Sequence, residues 1–450
     1  MKSRVDFTRG SIARNLILFA LPIMAGEALQ NLYHSVDSLV LGNFVGEAAL
    51  AAVSICGTLT NLLVGFCNGM SVGSTVVVAK AFGSRDPERL KRTVLHSYTF
   101  SVILGLVMSI IGVSFAPFFV GICNVNSEIY SQALMYFMIF ASGLIFTVVY
   151  NNSAGILRAM GDMRTPFVIL MISSVLNIIL DLLFSAFWSW GIKGVAIATV
   201  ISQFVSVLIS YYVIRFRLGF RCFDPASLVR NGHQEIRETV DVGFSSGIQS
   251  SLISFSNLFV WRYVNMFSTA TVAGVGVAQR IDKFVSLPTN AFGNTATTFA
   301  SQNIGAGEYE RTRKGIRICI LIAVSFSLSF SFIAYPIAPS LAKLYNRNPE
   351  VVKCATDMLS LLVPFYFMNS IRQVIAGNLR ARGRSRLSML YSVAGMIVVR
   401  QIWLAISMHF FKSIYNVYLG YVIGWFFALL FVSLYYFYCR KKLYMKPTSV

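Results

Sequence analysis

Long apolar runs recur along this chain and restrict what it can fold into. A helix that crosses the hydrocarbon of a bilayer needs about 20 predominantly apolar residues. Only 12% of the 450 residues are charged, whereas soluble domains average about a quarter, so most side chains must face lipid or protein. The predicted fold class is an all-α polytopic membrane protein with twelve spans, at 16–42, 50–79, 93–118, 129–156, 165–187, 194–214, 238–266, 271–301, 316–342, 351–378, 387–410 and 416–438.

The segments between the predicted spans alternate in their content of lysine and arginine. One set, which includes the N-terminal arm, the 215–237 segment and the C-terminal tail, holds 28 of the 38 basic residues, and the other set holds five. Basic loops favour the cytoplasmic side, so we expect both termini in the cytoplasm and the chain in the plasma (inner) membrane. This clustering explains the net charge of +20 without nucleic acid, which would need a basic face on a folded domain.

Two loops repeat at one offset of 222 residues. The pattern GxLRAxGxxR at 155–164 returns at 377–386, and five positions in 83–92 match 305–314 in residue type. A shared offset for two distant loops argues against chance. We therefore predict two six-helix bundles in a parallel repeat, 1–214 and 238–450, joined by a cytoplasmic linker at 215–237. Transporters built from such repeats bind substrate between the halves near the midplane.

The first and fifth spans carry acidic and polar side chains, which are costly in lipid and mark a functional site by default. In the first span, polar side chains recur every three to four residues and share one stripe: Glu27, Gln30, Asn31, His34, Asp37 and Ser38. In the fifth, Asn177 and Asp181 lie one turn apart. Two carboxylates in a low dielectric need a shared proton or cation. The stripe alone also fits a buried polar seam between helices.

Together, these motifs resemble the multidrug and toxic compound extrusion (MATE) family. The matching residues are Leu21-Pro22, Asp37, Gly155–Pro166, Asn177 with Asp181, and Gln302–Gly307. The resemblance implies a monomer that exports amphipathic, often cationic small molecules by alternating access, against an inward H⁺ or Na⁺ gradient. It also implies a cation-coupling site, where Na⁺ could bind, at Asp37, Asn177, Asp181 and Thr199.

A substrate cavity is expected beside this site. Its predicted lining is Glu27, Gln30, Tyr33, His34, Asn151, Asn152 and Arg400. In the C-terminal half, Trp261 and Trp403 occupy the repeat positions of the acids, so no second cation site is expected. Arg262, Arg372 and Arg400 also lie within spans, and Arg372 or Arg400 could pair with an anionic group of a substrate.

Other functions remain open from the sequence. There is no GxxxxGK[ST] or HExxH motif, and none of the seven cysteines forms a CxxC pair, so neither an enzyme nor a cofactor beyond the coupling ion is expected. A lipid-linked precursor flippase of the same superfamily is an alternative, because membrane arginines suit a pyrophosphate. A channel or sensor is a third class, which the two-fold repeat with an acidic pair on one side argues against.

Overall fold

The computed structural model describes residues 5–40, 45–123, 127–219, 223–224 and 233–443. Every regular element in these residues is helical. The elements are α1 (Ile12–Val40), α2 (Glu47–Gly83), α3 (Pro87–Ser114), α4 (Ala116–Ile122), α5 (Ser127–Ser142), α6 (Leu144–Ala159), α7 (Arg164–Asp181) with a π-helical turn (Leu182–Phe187), α8 (Ile192–Leu218), α9 (His233–Val264), α10 (Thr269–Val285), α11 (Leu287–Gly305), α12 (Tyr309–Tyr345), α13 (Pro349–Leu362) with a 3-10 turn (Val363–Phe365), α14 (Tyr366–Ala381), α15 (Ser385–Val393) with a π-helical turn (Ala394–Val399), α16 (Arg400–Phe410) and α17 (Ile414–Leu443).

Helices are found at all twelve predicted spans, which confirms the predicted fold class. Within the described residues, nine helices are long and apolar enough to cross a membrane, or ten if α5 and α6, bent by 45°, are one span. The two predicted spans beyond those ten are α9 and the pair α10–α11. They are more polar, and nearly every side chain of α11 from Leu287 to Asn303 is buried. Because protein surrounds α11, this helix needs no apolar surface.

The predicted repeat is confirmed in the backbone of its two loops. Gly161 and Gly383 both adopt a positive φ, +80° and +71°. Arg85 and Gly307, also 222 residues apart, adopt +59° and +75°. After each of the first two glycines, the next residue donates its N–H to the carbonyl five residues back at 2.9 Å, which is the hydrogen bond that ends a helix in a Schellman turn.

The repeat extends to how helices cross. A methyl group added at Gly155 of α6 would lie 2.6 Å from the Thr75 hydroxyl of α2, and one at Gly377 of α14 would lie 2.8 Å from the Thr297 hydroxyl of α11. Both threonines donate to the carbonyl four residues back at 2.9 Å. Small residues allow such close crossings between membrane helices. The same helix pair is therefore built twice at the same offset.

The contacts divide the chain into two compact units. One contains Val5 and Ala25–Ser251, and the other contains Asp6–Met24 and the chain from Leu252 onward. Two helices, α1 and α9, each continue from one unit into the other. The division of the sequence at 214 and 238 stays a prediction about the repeat, and the compact units do not follow it.

The first part of α9 packs within the first unit because two glycines meet there. A methyl group added at Gly69 of α2 would lie 2.2 Å from the backbone nitrogen of Gly247. Toward the start of α9, the ion pairs Lys80–Glu238 and Arg92–Glu235 continue the contact. Glycine side by side with glycine leaves no room for any side chain, so the contact depends on both residues.

We expect Gly69→Ala to separate α2 from the first part of α9, because the added methyl group would overlap backbone atoms of Gly247 rather than a side chain that can turn away. The expected result is a clear fall in Tm of the purified protein in detergent. Gly57→Ala on the same helix is the matched control, since a methyl group there meets no atom within 4 Å. Equal Tm values for the two variants would contradict this account of the crossing.

Candidate functional site

One face of α7 is polar and buried, while the opposite face is apolar and exposed. Asn177 and Asp181 are 3% and 0% exposed, whereas Val175 and Ile179 are 53% and 55% exposed. The amide nitrogen and the amide oxygen of the Asn177 side chain are both buried, and neither has a hydrogen-bond partner in the described part of the structure. An unpaired buried amide is costly, so this face has the capacity to bind a further polar group or an ion.

The third predicted ligand on this side, Thr199, is half-buried on α8. Its hydroxyl donates to the Val195 carbonyl at 3.0 Å. The donor is therefore occupied, and the oxygen lone pairs remain available to accept a hydrogen bond or to coordinate a cation. Helices α7 and α8 pack against each other, which brings the helix of Thr199 beside the helix of Asn177 and Asp181.

The remaining predicted residues of this site lie on α1. Asp37 and His34 are within the helix, but their side chains lie outside the described part of the structure. Glu27 and Gln30 are half-buried and Tyr33 is 9% exposed. Among the described residues there is no group of three or more His, Cys, Asp or Glu side chains that could hold a metal ion. The assignment of Asp37 to the coupling site stays a prediction.

The two asparagines predicted as cavity lining differ in their surroundings. Asn151 is half-buried. Asn152 is 2% exposed, and its side-chain amide donates to the Ser97 carbonyl of α3 at 3.1 Å. Asn152 therefore joins α6 to α3. That contact accounts for its polarity without a substrate.

Arg400 lies in the second unit and is 3% exposed. Its Nη2 donates to the Ser256 hydroxyl of α9 at 2.7 Å.

At the repeat position of Asp181 stands Trp403, whose indole N–H donates to the Asn416 carbonyl at 3.0 Å. This position joins α16 to the start of α17, and it carries no titratable group.

Comparison with known proteins identifies the family of this chain. The MatE family matches residues 22–183 and 246–406, which is well over half of the chain. The chain belongs to the MatE family. Members of this family are membrane transporters and not enzymes.

Similar proteins cover nearly the whole chain. It is 27% identical to the probable multidrug resistance protein YoeA of Bacillus subtilis, over 97% of this chain and 96% of the relative. It is 24% identical to an FAD transporter of Shewanella oneidensis, over 89% of each chain. A solved MOP superfamily transporter of Pyrococcus furiosus, for which a binding pocket of reverse polarity and a different function have been suggested, shares the fold with a TM-score of 0.91, at 22% identity and 99% coverage of both chains.

The MatE-like motif at 302–307 has a structural role in the second unit. The Phe7 N–H donates to the Gln302 side chain at 3.0 Å, and the Phe7 carbonyl accepts from Asn303 and Arg311 at 3.3 and 2.8 Å. The Phe7 ring is fully buried and lies 5.3 Å from that of Phe299. The motif therefore anchors the N-terminal arm, a role that its sequence did not indicate.

The MatE-like motif at 155–166 is also structural. Asp162 accepts hydrogen bonds from the backbone N–H and the hydroxyl of Thr165 at 3.1 and 2.6 Å, at the start of α7. It also pairs with Arg217 at the end of α8. Burial raises the pKa of Asp162, but the hydrogen bonds from Thr165 and the Arg217 guanidinium outweigh it, so the pKa lies below its usual value.

This lowered pKa predicts a pH-dependent contribution to stability. A carboxylate whose pKa is depressed in the folded state stabilises the fold above its unfolded pKa of about 4, and the contribution disappears as pH falls through the folded pKa. We expect Asp162→Asn to lower Tm at pH 7. The difference in Tm from the wild type should shrink below about pH 4.

Asp86→Asn is the control, because asparagine is an equally good N-cap and Asp86 caps α3 at the surface. A Tm difference for Asp162→Asn that stays constant from pH 7 to pH 3 would contradict the ion-pair explanation.

Proposed function

We propose that this MatE protein is a cation-coupled antiporter that exports amphipathic, often cationic compounds by alternating access. The observation that carries the proposal is the buried pair on α7. Asn177 and Asp181 are almost fully buried, on a helix whose opposite face is apolar and exposed. The pair therefore faces protein and not lipid. Relatives named for multidrug resistance support drug-like substrates.

The coupling follows from electrostatics in a low dielectric. A buried carboxylate is costly while charged, so Asp181 together with Asp37 would take up a proton or a sodium ion when substrate is absent. A cationic substrate supplies the same positive charge, so substrate and coupling ion compete. The Thr199 hydroxyl oxygen and the Asn177 amide oxygen are the neutral oxygens that Na⁺ would need. Either ion is consistent with this set of side chains.

The orientation of the protein is part of the proposal. The concentration of lysine and arginine in alternate loops supports cytoplasmic termini in the plasma membrane. A monomer would suffice, because each polypeptide contains both copies of the repeat.

A lipid-linked precursor flippase remains the second candidate. Arg400 is 3% exposed, and a buried arginine is suited to bind pyrophosphate. The relative named as an FAD transporter supports a substrate that carries phosphate. Binding of a lipid pyrophosphate, without export of a cationic dye, would favour this candidate.

The test is efflux of the cationic dye rhodamine 123 from proteoliposomes with a Na⁺ gradient or a pH gradient imposed separately. We expect one gradient to drive efflux in the wild type. Asp181→Asn and Asp37→Asn should each abolish the response to that gradient, because the site can no longer exchange a cation.

Asp86→Asn serves as the charge-matched control, since Asp86 lies at the surface, and it should transport normally. Full gradient-driven efflux by Asp181→Asn at normal expression would refute the proposed coupling site.

A further inference from the structure

Buried arginines without acidic partners distinguish the second unit. The sequence has no aspartate or glutamate after Asp357, although this part of the chain forms all of α14 to α17. Arg372 and Arg400 are 2% and 3% exposed, and neither forms an ion pair in the described part of the structure. A buried cation normally has an anionic partner.

Neutral oxygens satisfy one of these arginines. Arg372 donates from Nε and Nη2 to the Asn369 side chain at 3.0 and 2.7 Å, and from Nη1 to the Ser392 hydroxyl at 3.3 Å. All three nitrogens of its guanidinium are hydrogen-bonded. Arg372 therefore joins α14 to α15 and has little capacity to bind a ligand.

Arg400 is different, because only part of its guanidinium is occupied. Nη2 donates to Ser256, and the guanidinium carbon lies 5.2 Å from the centroid of the Tyr421 ring. The Nε–H is buried and has no hydrogen-bond partner among the described residues. An arginine held in place on one side, with a free donor on another, is preorganised to bind a planar oxyanion.

The neighbours of Arg400 are neutral and hydrogen-bonding. Gln401 donates to the Ser256 hydroxyl and carbonyl at 3.0 and 3.1 Å. Gln279 of α10 donates to the Tyr421 hydroxyl at 3.4 Å. Gln279, Gln401 and Tyr421 are half-buried, so the group that contains Arg400 reaches the surface of the second unit.

The acidic group near Tyr421 forms no ion pair with Arg400 in the described part of the structure. This group is Asp282 of α10, and Lys283 follows it in the sequence. Arg280 of the same helix lies over the Tyr345 ring at 5.9 Å. The balance of charge on this part of α10 is therefore positive.

The backbone gives this site a second unusual feature. The π-helical turn Ala394–Val399 ends immediately before Arg400. Such turns are rare, and they occur frequently at functional sites. The span that contains Arg400 runs from Ser385 to Phe410. At a rise of about 1.5 Å per residue, the position of Arg400 along this span lies near the middle of the bilayer.

We propose that Arg400, with Ser256, Gln401 and Tyr421, forms an oxyanion subsite that binds the carboxylate or phosphate of a transported compound. This inference rests on the proposed export function and extends it. Substrates would include amphipathic compounds with an acidic group, and the second unit would recognise that group.

The test compares two dyes that differ in one group. Rhodamine 110 has a free carboxylate, and rhodamine 123 is its methyl ester. Their equilibrium binding to the purified full-length protein in phosphatidylcholine nanodiscs is measured by fluorescence anisotropy, with no ion gradient. We expect the wild type to bind the acid on the order of tenfold more tightly than the ester, as one charge-assisted contact would give.

Arg400→Gln should remove this preference, chiefly by weakening the binding of the acid. Lys412→Gln is the control with the same loss of charge, because Lys412 is exposed between α16 and α17, and it should keep the preference. If Arg400→Gln does not fold, Arg400→Lys serves instead, and its preference should be reduced because lysine lacks the planar fork.

Three results would overturn the inference. The first is equal affinity of the wild type for both dyes. The second is an unchanged preference in a folded Arg400 variant. The third is loss of the wild-type preference when phosphatidylglycerol is added, which would show that a lipid headgroup occupies the site. Gradient-driven efflux of rhodamine 123 is measured separately, so the export function can stand when the subsite fails, and the reverse.

Discussion

Lipid offers no hydrogen-bond partner, so a polar side chain on a membrane helix must find its partner within the protein. This constraint determines where the helices of this chain can be polar. Helix α11 carries several threonines and asparagines, and nearly all of it is buried. The close crossings at Gly155 and Gly377 make such burial possible, because helices separated by larger side chains could not enclose a polar one.

The same constraint gives the two units different chemistry. In the first, a buried asparagine and a buried aspartate lie one turn apart on α7. In the second, the repeat positions carry tryptophans, and the charged groups buried in the bilayer are arginines. A buried carboxylate favours a cation, and a buried guanidinium favours an anion or several neutral oxygens, as at Arg372. The repeat therefore gives both units the same arrangement of helices. The buried charged side chains differ in sign, because those of α7 are acidic and those of the second unit are basic.

Much of the fold could be predicted from the sequence, because apolar length and loop charge are strong signals. The offset of 222 was visible in two loops, and it extends to the crossing of Thr75 with Gly155 and of Thr297 with Gly377. A hydropathy criterion alone would have missed α9 and α10–α11, which are more polar than the other spans, and α11 is nearly all buried within the protein. The compact units also differ from the sequence halves, because contacts such as Gly69 with Gly247 join segments that are distant in the chain.

The candidate site was less predictable. Asn177 and Asp181 share a buried face as their spacing indicated. The family motifs at 155–166 and 302–307 gave no sign that they pair with Arg217 and anchor Phe7, because those roles depend on partners far away in the sequence. The same holds for Arg400, whose contacts with Ser256 and Tyr421 come from three separate helices. Contacts of this kind between distant residues produce no periodic pattern in the sequence.

Competition between substrate and cation at the α7 carboxylate is the central claim, and ion release measures it directly. Rhodamine 123 would be added to the purified protein in weakly buffered detergent solution, with proton release followed by a pH electrode and sodium release by a sodium electrode. The account predicts that dye binding to the wild type releases protons or sodium, and that dye binding to Asp181→Asn releases neither. Saturable dye binding to the wild type without release of either ion would contradict it.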